Sequence, residues 1–231
     1  MVQTLNADWR GRRVLVTGAT GIVGSWLCAE LVRRGAHVVA FVLDDDPLTM
    51  FYSEGTARRC AIVRGDLRRY EDCARAINGR EVEVIFHLGA QTLVGAAVRD
   101  PLETFESNVR GTYNLLEAAR RAEGLVKAVV VASSDKAYGD SPDLPYLEDM
   151  PLAGRHPYDV SKSCTDLLAS CYFTTYGLPG QVSMPSVSGW ALRRMRRGGP
   201  LDLAFCGSVR QPRNDCRTNG PDSGESRMTR R

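Results

Sequence analysis

Arg13-Val-Leu-Val-Thr-Gly18-Ala-Thr-Gly21-Ile-Val-Gly24 is a short apolar run followed by three glycines spaced three apart. The partly β-branched residues 14–16 read as a buried strand, and residues 22–34, closed by Gly35, as a helix. The first glycine allows a tight turn out of the strand. The second lets bare backbone approach a pyrophosphate, and the third lets the helix pack close to the sheet. The helix would turn its free N–H groups and positive dipole end toward such a phosphate. The spacing is G-x-x-G-x-x-G, not the G-x-G-x-x-G of ordinary dehydrogenases. Alone it would serve equally as a packing loop; with a strand before it and a helix after it, it reads as a dinucleotide-binding turn.

Composition bounds the rest. A chain of 231 residues, 43% hydrophobic and 25% charged, is globular and long enough for one substantial core. No apolar run approaches the roughly 20 residues of a membrane span. Residues 1–9 hold no signal-like apolar segment, so a cytoplasmic location is expected. The seven cysteines include no C-x-x-C pair, and with three scattered histidines they read as reduced packing residues rather than a metal site. Charge is unevenly spread: residues 182–231 hold ten arginines against four acids, whereas residues 1–181 are slightly acidic.

After the glycine turn comes a second strand, His37-Val-Val-Ala-Phe-Val-Leu43, followed by Asp44-Asp-Asp-Pro47. Asp44 lies 20 positions past Gly24, where an acid accepts hydrogen bonds from adenosine ribose hydroxyls; the three acids also fit a solvated turn before the proline. No arginine stands beside this strand end in the sequence to grip a 2′-phosphate, which favours NAD. Residues 61–67 form a third strand running into Gly65-Asp66-Leu67, whose carboxylate would sit beside the adenine amino group or cap the helix starting near Tyr70. A fourth strand over residues 83–88 ends in Gly89-Ala90-Gln91, small residues that leave room for a ligand at the sheet's crevice. His87 reads as a satisfied core histidine.

Residues 101–120 carry Phe105, Val109, Thr112, Leu115, Leu116 and Ala119 at helical spacing. Asn108 falls on or near that buried face, where its amide must be hydrogen-bonded to a loop or to backbone. A fifth strand over residues 127–133 delivers Ser134-Asp135-Lys136 and Tyr138 to its carboxyl end, a costly gathering of polar groups unless used. Then comes Tyr158-Asp-Val-Ser-Lys162, opening a helix behind Pro157. Residues four apart share a helix face, so Lys162 lies alongside Tyr158. A phenol titrates near 10, and a fixed ammonium stabilises the phenolate that a base working at neutral pH requires.

Together these motifs resemble the extended short-chain dehydrogenase/reductases of the NAD-dependent epimerase/dehydratase family, closest to the CDP-glucose 4,6-dehydratase-like branch. The resemblance rests on residues 16–26, Gly65-Asp66-Leu67, Phe86-His-Leu-Gly-Ala-Gln91, Asn108-Val-Arg-Gly-Thr112, Ser133-Ser-Asp-Lys-Ala-Tyr-Gly139 and His156-Pro-Tyr-Asp-Val-Ser-Lys162, spanning about residues 10–180. It implies a doubly wound, mostly parallel α/β sheet in a three-layer Rossmann sandwich. NAD would be held by Gly18, Thr20, Gly21, Ile22, Val23, Gly24, Asp44, Asp66, Leu67, Leu88, Ala90, Asn108, Tyr158 and Lys162. It further implies a nucleotide-sugar substrate, with no nucleic-acid or membrane partner, and a homodimer formed through the helices containing Asn108 and Tyr158. In the implied 4,6-dehydratase reaction, Tyr158, with Lys162 and Ser134, takes the sugar C4 hydroxyl proton while hydride passes to NAD. Water then leaves across C5–C6, and hydride returns to C6. Asp135 stands where the dehydratases keep the acid that protonates the departing hydroxyl. Lys136 stands where many keep a glutamate, the C5 base. A 4-epimerase would share Ser134, Tyr158 and Lys162 but has no use for an acid–base pair at 135–136.

Two departures stand out. Val42 occupies the strand end where many relatives place the ribose-binding acid, with Asp44 as its substitute. After Tyr176-Gly-Leu-Pro179 the family pattern stops. The expectation is therefore a Rossmann domain over residues 1–181, without the family's sixth strand and C-terminal substrate domain. Residues 182–231 read as a disordered tail rich in Arg, Gly and Pro. Such a chain would expose a strand edge and at most bind NAD.

Overall fold

The computed structural model describes residues 8–140, 146, 150–183 and 209–210. The run quoted at the outset forms β1 (Arg13–Thr17), whose Val14, Leu15 and Val16 are fully buried. Such continuous burial marks a strand covered on both faces, as in a parallel sheet between helix layers. Around it, in chain order, lie α1 (Ile22–Arg33), β2 (His37–Val42), α2 (Met50–Ser53), β3 (Ala61–Arg64) and α3 (Tyr70–Asn78). They are followed by β4 (Val84–His87), α4 (Val94–Arg99), α5 (Pro101–Phe105), α6 (Gly111–Arg121), β5 (Ala128–Ala132), α7 (Pro157–Thr175), β6 (Gly180–Ser183) and β7 (Val209–Arg210).

The sheet order is β3-β2-β1-β4-β5-β6-β7, parallel except for β7. Because side chains alternate across a strand, β1 feeds two cores. Leu15 joins Phe41, Ile77, Ile85, Leu115 and Ala169 beneath α3, α6 and α7. Val14 and Val16 join Leu27, Leu31, Phe51 and Phe86 beneath α1 and α2, closed by Trp9. The result is the expected three-layer sandwich. Its order reverses between β1 and β4, opening a crevice at the strands' carboxyl ends.

Two expectations change. The helix expected over residues 101–120 is interrupted by a π-helical turn, Glu106–Arg110, between α5 and α6. Its start is as the sequence implies: Pro101 occupies the first turn, and the Asp100 carboxylate accepts from Glu103 N at 3.0 Å. A sixth strand is also present. β6 extends β5 with Val129 opposite Gly180 and Ala132 opposite Ser183, and β7 pairs with it in turn. The expected boundary at 181/182 therefore falls inside a strand, and β5 is not an edge. Residues 184–208 and 211–231 of the expected disordered tail lie outside the described residues.

Candidate functional site

The three glycines differ in what surrounds them. Gly18 has φ +66°, and a Cβ there would meet the Gly89 backbone at 2.9 Å, so a left-handed turn and a close crossing both demand glycine. A Cβ on Gly24 would stand 2.0 Å from the Gly18 carbonyl oxygen. Gly21, by contrast, is exposed, and its nearest neighbour would be Gly18 O at 3.2 Å. Its open side faces away from the protein at the start of α1. Thr20 and Val23 are half-buried beside it, and Ile22 is exposed.

Behind this turn runs a directed chain of hydrogen bonds. Thr17 Oγ1 accepts from Leu88 N at 3.1 Å and Gly89 N at 2.9 Å. With both lone pairs occupied, its proton goes to His87 Nδ1, 2.8 Å away. His87 is then the Nε2–H tautomer and donates to Thr112 Oγ1 at 3.0 Å, which donates to the Asn108 carbonyl at 2.5 Å. Complete burial, with the Lys162 charge as a smaller cause, pushes His87 down to about 3, so it stays neutral. It is the satisfied core histidine expected.

The Asn108 side chain braces both a loop and a helix. Its Oδ1 accepts from Gln91 N at 2.7 Å, and its Nδ2 donates to Gln91 O and Ser161 Oγ, each at 2.9 Å. Ser161 Oγ donates in turn to the Tyr158 carbonyl at 2.7 Å. The π turn, a device that often accompanies functional sites, carries Asn108 between the loop after β4 and α7. Leu88 and Ala90 are half-buried in that loop.

At the end of β5, Ser134 Oγ donates to Asp135 Oδ1 at 3.0 Å and accepts from Lys136 N at 3.2 Å. Ser134 also stands close enough to the Tyr158 phenol to draw its titration down. Ser134, Asp135 and Tyr158 are thus brought together. Lys136 turns away toward Asp140, with its nitrogen 3.7 Å from that carboxylate. Lys162 is buried, donates to the Ala132 carbonyl at 3.1 Å, and is pushed down to about 8 by burial against the opposing pull of Asp166. The expected lowering of Tyr158 by Lys162 is not met. Burial raises the phenol above its ordinary value, Ser134 pulls it down, and the Lys162 nitrogen stands 6.0 Å from the ring centre.

Beyond the end of β2, Asp44 is exposed and makes no hydrogen bond among the described residues. Asp66 neither caps α3, whose N-cap is Arg69, nor stands open. Both its oxygens take the Arg68 guanidinium, at 3.0 and 2.8 Å. Burial pushes its carboxyl up, but Arg68 outweighs this and holds it below the usual range. Leu67 is half-buried next to it. The expectation that no arginine stands beside the β2 end is overturned: strand pairing sets Arg64 opposite Val42. Sequence reading also missed Thr17, Gln91, Thr112, Ser161 and Arg68. Each is a common polar residue with at least one partner distant in sequence, Glu103 in the case of Arg68, so spacing gave no signal.

These features coincide with those of known proteins. The family model for GDP-mannose 4,6 dehydratase matches residues 15–187. The chain belongs to the NAD-dependent epimerase/dehydratase family. The CDP-glucose 4,6-dehydratase of Salmonella typhimurium is 35% identical over 189 residues, covering 78% of this chain and 50% of that protein. The UDP-glucose 4-epimerase of Mycolicibacterium smegmatis is 36% identical over 169 residues, covering 72% and 53%. Among solved structures, the dTDP-glucose 4,6-dehydratase DesIV of Streptomyces venezuelae, with NAD and TYD bound, superposes with a TM-score of 0.66 at 31% identity, covering 74% and 55%. The chain thus spans about half the length of these family members. No helix among the described residues is long and apolar enough to cross a membrane.

The residues present fit a dinucleotide. Gly21 leaves an open cradle at a helix N-terminus. Gln91 Oε1 and Ser133 Oγ, beside the crevice in sequence, are buried without a hydrogen-bond partner among the described residues. Leaving such atoms unpaired costs about 1–3 kcal/mol each, which a bound ligand or water would relieve.

Proposed function

We propose that this chain carries the NAD-binding and catalytic half of a nucleotide-sugar 4,6-dehydratase. The observation that carries this reading is Asp135, hydrogen-bonded to Ser134, the side chain that draws the Tyr158 phenol down. An acid held beside the base is what elimination requires and simple C4 oxidation does not. NAD, when bound, takes hydride from the sugar and gives it back. Gly18 to Gly24 and the α1 terminus would hold its pyrophosphate, and Asn108 fixes the loop after β4 by bonding the Gln91 backbone. Tyr158 Oη takes the C4 hydroxyl proton, oriented by Ser134. Lys162, buried one turn along α7, anchors that helix to β5 through the Ala132 carbonyl. Asp135 delivers a proton to the C6 hydroxyl as the C6–O bond breaks, while the C5 proton, made acidic by the 4-keto group, passes to water.

A second reading, a nucleotide-sugar 4-epimerase, is favoured by Lys136, which turns to Asp140 and supplies no C5 base. Incubation with NAD and a CDP-, GDP-, dTDP- or UDP-hexose separates the two. A 4-keto-6-deoxy product supports the dehydratase, and a C4-inverted sugar supports the epimerase. No product with any of the four refutes both for this chain. Exposed Val98, Leu102, Tyr113 and Leu167 on α4, α5, α6 and α7 further support a homodimer through these helices.

A further inference from the structure

Val42, the last residue of β2, is fully buried and offers no acceptor to an adenosine ribose. The polar groups at this strand end come instead from the following loop and from the neighbouring strand. Arg64, ending β3 opposite Val42, donates from Nε to Asp45 Oδ2 at 2.5 Å. The Tyr52 hydroxyl, on α2, donates to Asp45 Oδ1. Each Asp45 oxygen therefore holds a donor, from elements on two sides of the loop. The pair remains open to solvent, with the Arg64 side chain 67% and that of Asp45 41% exposed.

A dinucleotide whose pyrophosphate lies on the β1–α1 turn runs its adenosine toward β2, and the end of that strand meets the ribose 2′ position. A 2′-phosphate there requires a guanidinium, whose planar fork matches phosphate oxygens. Arg64 is placed to supply it, yet its charge is already met by Asp45. Hydrogen bonding from Tyr52, then from Arg64, holds the Asp45 carboxyl below its usual range, so the clamp stays ionised at neutral pH.

We propose that the Arg64–Asp45–Tyr52 clamp selects the cofactor: by holding the Arg64 guanidinium on Asp45 it withholds that cation from a 2′-phosphate and favours NAD over NADP. This rests on the NAD site proposed above. The test is calorimetric titration of the full chain with NAD and with NADP, for the native protein, Asp45→Asn, Asp45→Glu and Asp45→Asn/Arg64→Gln. Asp45→Asn should gain about tenfold in NADP affinity, the worth of one charge-assisted bond, with NAD affinity nearly unchanged. Added salt should shrink that gain. Asp45→Glu should keep the native ratio, and Arg64→Gln should abolish the gain. An unchanged ratio in Asp45→Asn, or a gain that survives Arg64→Gln, overturns the selector. Native protein that prefers NADP overturns the selector alone, whereas native protein that binds neither nucleotide overturns the NAD site and the selector with it.

Discussion

A methyl group at Gly24 would fall 2.0 Å from the Gly18 carbonyl oxygen, 2.8 Å from its carbon and 2.9 Å from the Ala19 Cα. All three are backbone atoms, so no side chain can rotate away. Reaching the 3.4 Å of ordinary contact requires α1 to withdraw by roughly 1.4 Å from a core that includes fully buried Cys28 and Leu31. Overpacking of this kind costs about 1–3 kcal/mol, and rigid atoms on both sides put Gly24→Ala at about 3 kcal/mol. That lowers the melting temperature by roughly 6–12 °C in a domain of this size. Gly21→Ala is the contrast. Its φ of −71° and ψ of 168° suit alanine, and its nearest neighbour would be 3.2 Å away. A small loss of N-cap preference is offset by about 0.4–1 kcal/mol from a less flexible unfolded chain, so its melting should be near native. Its methyl group would instead occupy the place of a phosphate and weaken NAD binding at least about tenfold, or 1.4 kcal/mol. Circular-dichroism melts and NAD titration of both variants separate the effects. Native melting in Gly24→Ala, or native NAD affinity in Gly21→Ala, refutes the division of roles among the glycines.

Acid should destabilise the protein through His87. Its value is pushed down to about 3 from an ordinary 6.5, so below pH 6.5 the unfolded chain binds a proton that the folded one refuses. Stability should fall by about 1.4 kcal/mol per pH unit from 6.5 toward 3. Urea denaturation of His87→Gln between pH 6.5 and 5 should show a flatter dependence than the native protein, and equal slopes would contradict the neutral relay. In a version of the chain restored to full family length, Tyr158→Phe should abolish C4 oxidation while leaving NAD affinity native, and the next variant is read in the same background. Asp135→Asn should oxidise C4 but accumulate a 4-keto hexose, seen by mass spectrometry; equal loss of oxidation in both variants would remove Asp135 from the elimination step. Leu167→Glu should shift sedimentation from dimer to monomer without lowering the melting temperature, and an unchanged sedimentation coefficient would place any interface elsewhere.

Local pattern alone carried the Rossmann half, because each of its signals is confined to one element. The apolar run at 14–16, the glycines three apart, Pro101 behind Asp100 and the Tyr158–Lys162 spacing each report a backbone or helix-face requirement met within a few residues. The carboxyl-end placement of Ser134 and Asp135 was legible for the same reason. What the sequence could not carry were the partners of those groups. Arg64 reaches the β2 end only because parallel pairing sets it opposite Val42, 22 positions away. Asn108 braces Gln91 and Ser161 because a π turn re-aims one helix, and no residue pattern announces that turn. Tyr158 titrates above rather than below its ordinary value because burial, a property of the packed site, outweighs the pull of Ser134, while the lysine four residues on bonds to β5. Strand β6 forms because β5 offers it an open row of hydrogen-bonding groups, although its own four residues, Gly-Gln-Val-Ser, show no strand alternation. Covalent neighbours set the elements, whereas the energies of ion pairs, buried amides and sheet edges depend on atoms brought close only by folding.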